Sequence, residues 1–343
     1  MNTSEFGTQT RSRKIGARLG IAGVALAATL GVAACGGSSG NTIALVAYST
    51  PQTAYEKGIE PAFKATPDGK DASFSNSFGS SGDQSRAVES GQPADVVAFS
   101  LEPDVTRLVD AGKVPANWNQ DQYKGIVTDS VVVLMVRPGN PKNIKSFNDL
   151  TRSDVDVIDP NPATSGGARW NIMAIYGSQI NAGKTPAQAL DFVKQVIGNT
   201  SVQDNSARDS LTTFQGGKGD VLVGYENEAI AAKANGVNLD YVIPDSTIKI
   251  ENPIAATTSA SDAAKKFVTY TRSDAAQQIY ADNGYRPVVP SVFAKNKAKF
   301  PIPSGLFTID QFGGWSKVSD QFFGDPNGSV IKIESELGNP TSS

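Results

Sequence analysis

The sequence predicts an α/β fold with mainly parallel sheets. Apolar, β-rich runs alternate along the chain with segments whose apolar residues recur at helical spacing. Turns made of serine, glycine and other small residues follow the strands, in the position where parallel sheets present ligand-binding carboxyl ends. With 343 residues, 39% hydrophobic and 19% charged, the chain can bury a sizeable core in one or two domains.

Composition removes several chemistries. A net charge of −3 gives no footprint for nucleic acid, whose phosphates call for clustered Lys and Arg. The sequence contains no histidine, which excludes Ser-His-Asp triads and imidazole bases or metal ligands. Its one cysteine, Cys35, cannot form an internal disulfide, and no CxxC pattern is present. No metal or other cofactor is expected.

The first residues read as an export signal: Arg11, Arg13, Lys14 and Arg18 precede an apolar stretch over 19–32, too short and rich in Gly and Ala for a membrane span. Val32-Ala33-Ala34-Cys35-Gly36 resembles a bacterial lipobox, which makes Cys35 a lipidated mature N-terminus; the alternative is a plain secretory signal with a chance cysteine. Gly36-Gly37-Ser38-Ser39-Gly40 then forms a flexible tether, and the folded part begins near Thr42.

Ile43-Ala44-Leu45-Val46-Ala47-Tyr48 is apolar throughout, as a strand covered on both faces requires. Thr50 is expected to cap the following helix with Pro51 as its first residue. A strand over 73–78 leads to Gly79-Ser80-Ser81-Gly82-Asp83-Gln84 and a helix, and Ala94-Asp95-Val96-Val97-Ala98-Phe99 is another buried strand. Its helix carries Leu101, Val105, Leu108 and Val109 on one face, with Glu102 and Asp104 as ordinary first-turn carboxylates. The longest β-rich run, 127–136, ends in the turn residues Arg137-Pro138-Gly139-Asn140-Pro141.

Val155-Asp156-Val157-Ile158 leads into Asn161-Pro162-Ala163-Thr164-Ser165-Gly166-Gly167-Ala168-Arg169-Trp170, the most suggestive turn in the chain. A helix N-terminus offers unpaired N–H groups and partial positive charge. Gly166 and Gly167 lack the β-carbons that would hold a ligand off the amides, and Ser165 adds a hydroxyl donor. Taken alone, the turn is either an oxyanion cradle or an ordinary strand-to-helix loop. A helix to about Ile180 and another with Ala187, Leu190, Val193 and Val196 follow. Asp204-Asn205-Ser206-Ala207-Arg208 is a further polar turn before a helix. Gly216-Gly217-Lys218-Gly219 lacks P-loop spacing and reads as a helix stop. A strand over 220–225 delivers Tyr225 to its carboxyl end, and Glu226-Asn227-Glu228 opens a helix. Those carboxylates, two residues apart, do not share a helix face as an acid/base pair would. Return strands at 241–244 and 248–250 and one helix over 267–280 complete the regular elements.

Several of these segments are long enough to carry a family resemblance. Gly79-Ser80-Ser81-Gly82-Asp83-Gln84, the 160–171 turn, Gly219-Asp220-Val221-Leu222-Val223-Gly224-Tyr225-Glu226-Asn227-Glu228-Ala229 and Leu306-Phe307-Thr308-Ile309-Asp310-Gln311-Phe312-Gly313-Gly314-Trp315 closely resemble the bacterial sulfate/thiosulfate-binding proteins of ABC importers. So do Gly125-Ile126-Val127-Thr128 and Val136-Arg137-Pro138-Gly139-Asn140-Pro141-Lys142, so that the similarity runs from Tyr48 to Trp315. The resemblance implies a two-lobed periplasmic-binding-protein-like fold of type II with the ligand in the cleft between lobes. The expected arrangement is a signal over 1–34, a tether over 35–41, a first lobe from 42–127 and 245–300, a second lobe over 128–244, and a 301–343 segment packing back across both. It also implies a monomeric, lipid-anchored extracytoplasmic receptor that catalyses no reaction and delivers sulfate or thiosulfate to permease subunits.

Carried over position by position, the ligand contacts would be the Ser81 hydroxyl, the Ser165 hydroxyl and amide, the amides of Gly166, Gly167 and Ala207, and the amide of Thr50 across a local gap. Arg208 would support the site from behind. Tyr225 stands where the family has a tryptophan, replacing a donor-only indole with a phenol that both donates and accepts. Uncharged donors suit sulfate, which near neutral pH has no proton to give, whereas hydrogen phosphate would leave a donor unpaired at about 1–3 kcal/mol. Molybdate and phosphate are alternative ligands. An exported hydrolase using Glu226 or Asp159 with Ser165 is the alternative of another class, disfavoured by the lack of histidine and of a base beside the serine.

Overall fold

A computed structural model describes residues 41–342. The signal segment, the Cys35 lipidation site and the tether up to residue 40 lie outside the described residues.

The strands are β1 (Thr42–Tyr48), β2 (Ser73–Gly79), β3 (Val96–Ala98), β4 (Ile126–Val136), β5 (Val157–Ile158), β6 (Thr200–Val202), β7 (Val221–Tyr225), β8 (Asp240–Val242), β9 (Ser246–Ala256), β10 (Arg286–Pro287) and β11 (Gly305–Phe307). They form one hydrogen-bonded path, β2-β1-β3-β9-β4-β7-β5-β6, with β8 and β10 joining β4 and β11 joining β9. The sheet is mixed, not mainly parallel. The pairs β1–β2, β1–β3, β5–β6 and β5–β7 are parallel, because a helix carries the chain back between such strands. All pairings of β4, and that of β3 with β9, are antiparallel. These two long strands carry the chain between the halves of the sheet in opposite directions, and no crossover helix realigns them.

Side-chain alternation explains why the strands read as apolar throughout. Ile43, Leu45 and Ala47 of β1 enter one core and Val46 the core on the opposite face. Likewise Val132, Leu134 and Val136 of β4 face one core while Val131, Val133 and Met135 face another. Both faces of each half are covered, so neither face selects for polar residues.

One local expectation changes. The single helix over 267–280 is two, Asp262–Tyr270 and Asp274–Asp282. Ser273 caps the second by accepting from the Ala276 amide at 3.2 Å, and local hydrogen bonding of this kind competes with helix continuation. The last residues, which carry no long apolar run, are nonetheless well packed. Trp315 meets Trp170 edge to face with ring centroids 4.6 Å apart, and Phe322 meets Tyr176 at 4.9 Å. The contacts fall on the buried helix Gly166–Asn181, which the C-terminal segment therefore holds in place.

Candidate anion site

Three helices begin at one small cavity. They are Ser81–Glu89 after β2, Gly166–Asn181 after β5 and Ala207–Gln215 after β6, with N-cap residues Ser80, Ser165 and Ser206. Ser165 accepts from the Ala168 amide at 3.3 Å and Ser206 from the Asp209 amide at 3.2 Å, which fixes where each helix starts. The first-turn amides beyond the caps have no intrahelical partner, and each helix contributes partial positive charge. The cavity is lined by N-cap or first-turn residues of all three, together with Ser49, Thr50, Ser100, Tyr48 and Tyr225.

All seven residues expected to touch the ligand, Thr50, Ser81, Ser165, Gly166, Gly167, Ala207 and Tyr225, lie in this wall. The space is small, about 10 Å³, close to what a single water requires. None of the lining residues is charged among those described. The two glycines differ in what limits them. A β-carbon on Gly166 would lie 2.0 Å from Leu101 Cδ2 and 2.9 Å from Ser100 Cβ, whereas one on Gly167 would meet Ser165 Oγ at 3.3 Å and Tyr225 Cε1 at 3.7 Å. Gly166 is required by packing, whereas a side chain on Gly167 would face Ser165, Ala207 and Tyr225 of the cavity wall.

The hydrogen bonds revise several donor assignments. The Ser81 hydroxyl donates to Asp104 Oδ2 at 2.6 Å and accepts from the Ser100 amide at 2.9 Å, so its proton points away from the cavity. Asp104, expected to be an ordinary first-turn carboxylate, stands in the first turn but is 2% exposed and bridged to Arg107 at 3.3 Å. The Ser165 amide donates to the Asn161 carbonyl at 2.8 Å, which leaves its hydroxyl as the donor to offer. Thr50 does not cap its helix; Pro51 stands at that position, and the Thr50 hydroxyl donates to Glu228 Oε1 at 3.3 Å. Arg208 does not itself line the cavity; it donates from Nε and Nη2 to the Ser49 carbonyl at 3.1 and 2.6 Å and so holds the turn that carries Thr50.

Ser100 is the residue the sequence did not single out. Its hydroxyl lies 2.7 Å from the Tyr225 hydroxyl, and its carbonyl accepts from Trp170 Nε1 and Asn252 Nδ2, each at 2.9 Å. Nothing marks it in sequence, because the partners of its carbonyl and hydroxyl are 70, 125 and 152 residues away. Burial, opposed by this bond, pushes the Tyr225 phenol well above its usual range, so it remains a neutral hydroxyl.

Behind the cavity, burial raises the Glu228 carboxyl to about 7 against the Tyr225 amide, Arg208 and Thr50. Glu226 is fully buried and forms a two-pronged ion pair with Arg286 at 2.6 and 3.0 Å. Asp159 accepts from Asn171 Nδ2 at 2.7 Å. Both carboxylates considered for hydrolysis are thus engaged elsewhere, and neither lines the cavity with Ser165.

The family of bacterial extracellular solute-binding proteins matches residues 43–286. A sulfate-binding protein of Synechococcus elongatus is 40% identical over 324 residues, covering 89% of this chain and 92% of that one. A thiosulfate-binding protein of Escherichia coli is 36% identical over 268 residues, 74% of this chain and 79% of the relative. Among solved structures, the sulfate-binding protein SubI from Mycobacterium tuberculosis H37Rv is 42% identical with a TM-score of 0.80, covering 82% of this chain and 99% of that one.

Proposed function

The chain belongs to the bacterial extracellular solute-binding proteins, and from that premise we propose that it is the sulfate receptor of an ABC-type importer. The observation that carries this reading is the cavity itself: three helix N-termini meet at a space lined by uncharged groups. Dispersed partial charge and neutral donors hold a doubly charged tetrahedral anion without a counter-ion. The contacts are the amides of Gly166, Gly167, Ala207 and Thr50 and the hydroxyls of Ser165 and Tyr225. Ser81 contributes by orienting the wall through Asp104 and Ser100.

In this reading the halves formed by 42–127 with 245–300 and by 128–244 are lobes that close on the anion, and 301–343 braces them. The bonds from Arg208 to Ser49 and from Thr50 to Glu228 join the two. Cys35 anchors the receptor to the extracytoplasmic face of the membrane, and the protein hands its anion to permease subunits as a monomer without chemical change. Thiosulfate, with the same charge and one larger terminal atom, is the closest competing ligand.

Isothermal titration in sulfate-free buffer is expected to give one tight site per chain for sulfate. An absence of heat with sulfate, thiosulfate, molybdate and phosphate alike would overturn the proposal, and a clear preference for another of these anions would replace sulfate as the ligand.

A further inference from the structure

The hydroxyl protons around the cavity are unequally free. Those of Ser80, Ser81 and Ser206 go to Asp83, Asp104 and Asp209, and that of Thr50 goes to Glu228. Ser100 and Tyr225 instead face each other at 2.7 Å, with either able to donate. Both line the cavity, both are 1% exposed, and no carboxylate fixes the direction of their bond.

We propose that the Ser100–Tyr225 pair is a reversible hydroxyl relay that lets this site accept a tetrahedral oxyanion carrying one proton, such as hydrogen phosphate, beside fully deprotonated sulfate. The proposal rests on the anion-receptor reading above and adds its specificity determinant. With sulfate bound, Ser100 donates to the Tyr225 oxygen and the phenol proton goes to the anion. With hydrogen phosphate, the ligand hydroxyl donates to the Tyr225 oxygen, Tyr225 donates to Ser100, and Ser100 donates to a second ligand oxygen. Each proton has an acceptor in both arrangements, no covalent bond changes, and no group changes charge. Tyr225 alone could not do this: accepting from the ligand would leave its own buried proton without a partner.

The test is competition calorimetry with sulfate and with inorganic phosphate at mildly alkaline pH, on wild type, Ser100→Ala and Tyr225→Trp. Wild type is expected to bind both anions, sulfate more tightly. Ser100→Ala weakens phosphate binding more than sulfate binding, raising the ratio of their Kd values about tenfold, the consequence of one unsatisfied buried donor. Tyr225→Trp, whose indole cannot accept, raises the same ratio and keeps the test decisive where Ser100→Ala fails to fold. Ser100→Thr, which retains the hydroxyl, restores the wild-type ratio. Sulfate binding with an unchanged ratio in both variants overturns the relay while leaving the receptor reading intact. Sulfate binding with no phosphate binding by wild type does the same. A ratio that responds to Tyr48→Phe instead places the acceptor on the other lining phenol and also overturns the relay. Failure to bind sulfate at all removes the reading on which it stands.

Discussion

Gly166 and Gly167 show how adjacent, chemically identical residues serve different ends. A methyl group on Gly167 meets Ser165 Oγ at a close 3.3 Å and Ala207 and Tyr225 at ordinary distances, and in the proposed receptor it stands in front of the amides that hold the anion. Gly167→Ala should therefore be destabilised far less than Gly166→Ala and lose sulfate affinity by tenfold or more, about 1.4 kcal/mol. Gly166→Ala drives its methyl into Leu101 and Ser100, and overpacking of this kind costs about 1–3 kcal/mol. Thermal unfolding of the two variants, followed by titration, separates the roles; equal destabilisation by both would contradict the assignment. The sequence identified this turn because glycine and serine at a strand-to-helix junction have a local physical meaning. Ser100 was silent because its role depends on partners brought from distant strands.

At the scale of the element, the helix Glu226–Ala234 begins with three consecutive buried polar residues, Glu226, Asn227 and Glu228. Asn227 accepts from Ser130 at 2.8 Å, so each of the three has its own partner on another element. Glu228 titrates higher in the folded protein, near 7, than its ordinary 4.5. The folded state therefore holds more protons than the unfolded state between those values, and this carboxyl's contribution to stability falls as pH rises through that window. Glu228→Gln should flatten part of the wild-type stability profile between roughly pH 4.5 and 7, by at most on the order of 3 kcal/mol. Asp129, raised by burial to about 7 beside Lys249, accounts for a slope that persists in the variant. Urea unfolding across this pH range checks the sign; a profile for Glu228→Gln parallel to wild type would show that the carboxyl is not coupled to folding.

For the molecule as a whole, long-range polar contacts tie the halves of the sheet together around the cavity. The Glu226–Arg286 pair is the most buried, with side chains 0% and 5% exposed, and Arg286 also donates to the Pro301 carbonyl at 2.7 Å. Removing one partner leaves a charge uncompensated in the interior, at a cost of about 3–5 kcal/mol. Glu226→Ala should lose that much in equilibrium unfolding, whereas the surface pair Lys194–Glu336 should respond by under about 1 kcal/mol when Lys194 is replaced by Ala. Comparable losses in both variants would show that burial does not set the weight of these pairs.

The alternation of apolar runs with helical periodicity, the serine and glycine turns, and the absence of histidine were local properties, and from them the sequence by itself determined an α/β chain with turns of a kind suited to an anion and no Ser-His-Asp triad. Resemblance over 48–315 added the family and the positions at the cavity. The mixed sheet was not legible, because strand direction depends on how the chain enters a strand and leaves no mark on an apolar run buried on both faces. The direction of each hydroxyl proton was not legible either. A serine in sequence is a donor and an acceptor at once, and only the fold, by setting Asp104 beside Ser81 and Ser100 beside Tyr225, decided which of the two each one is.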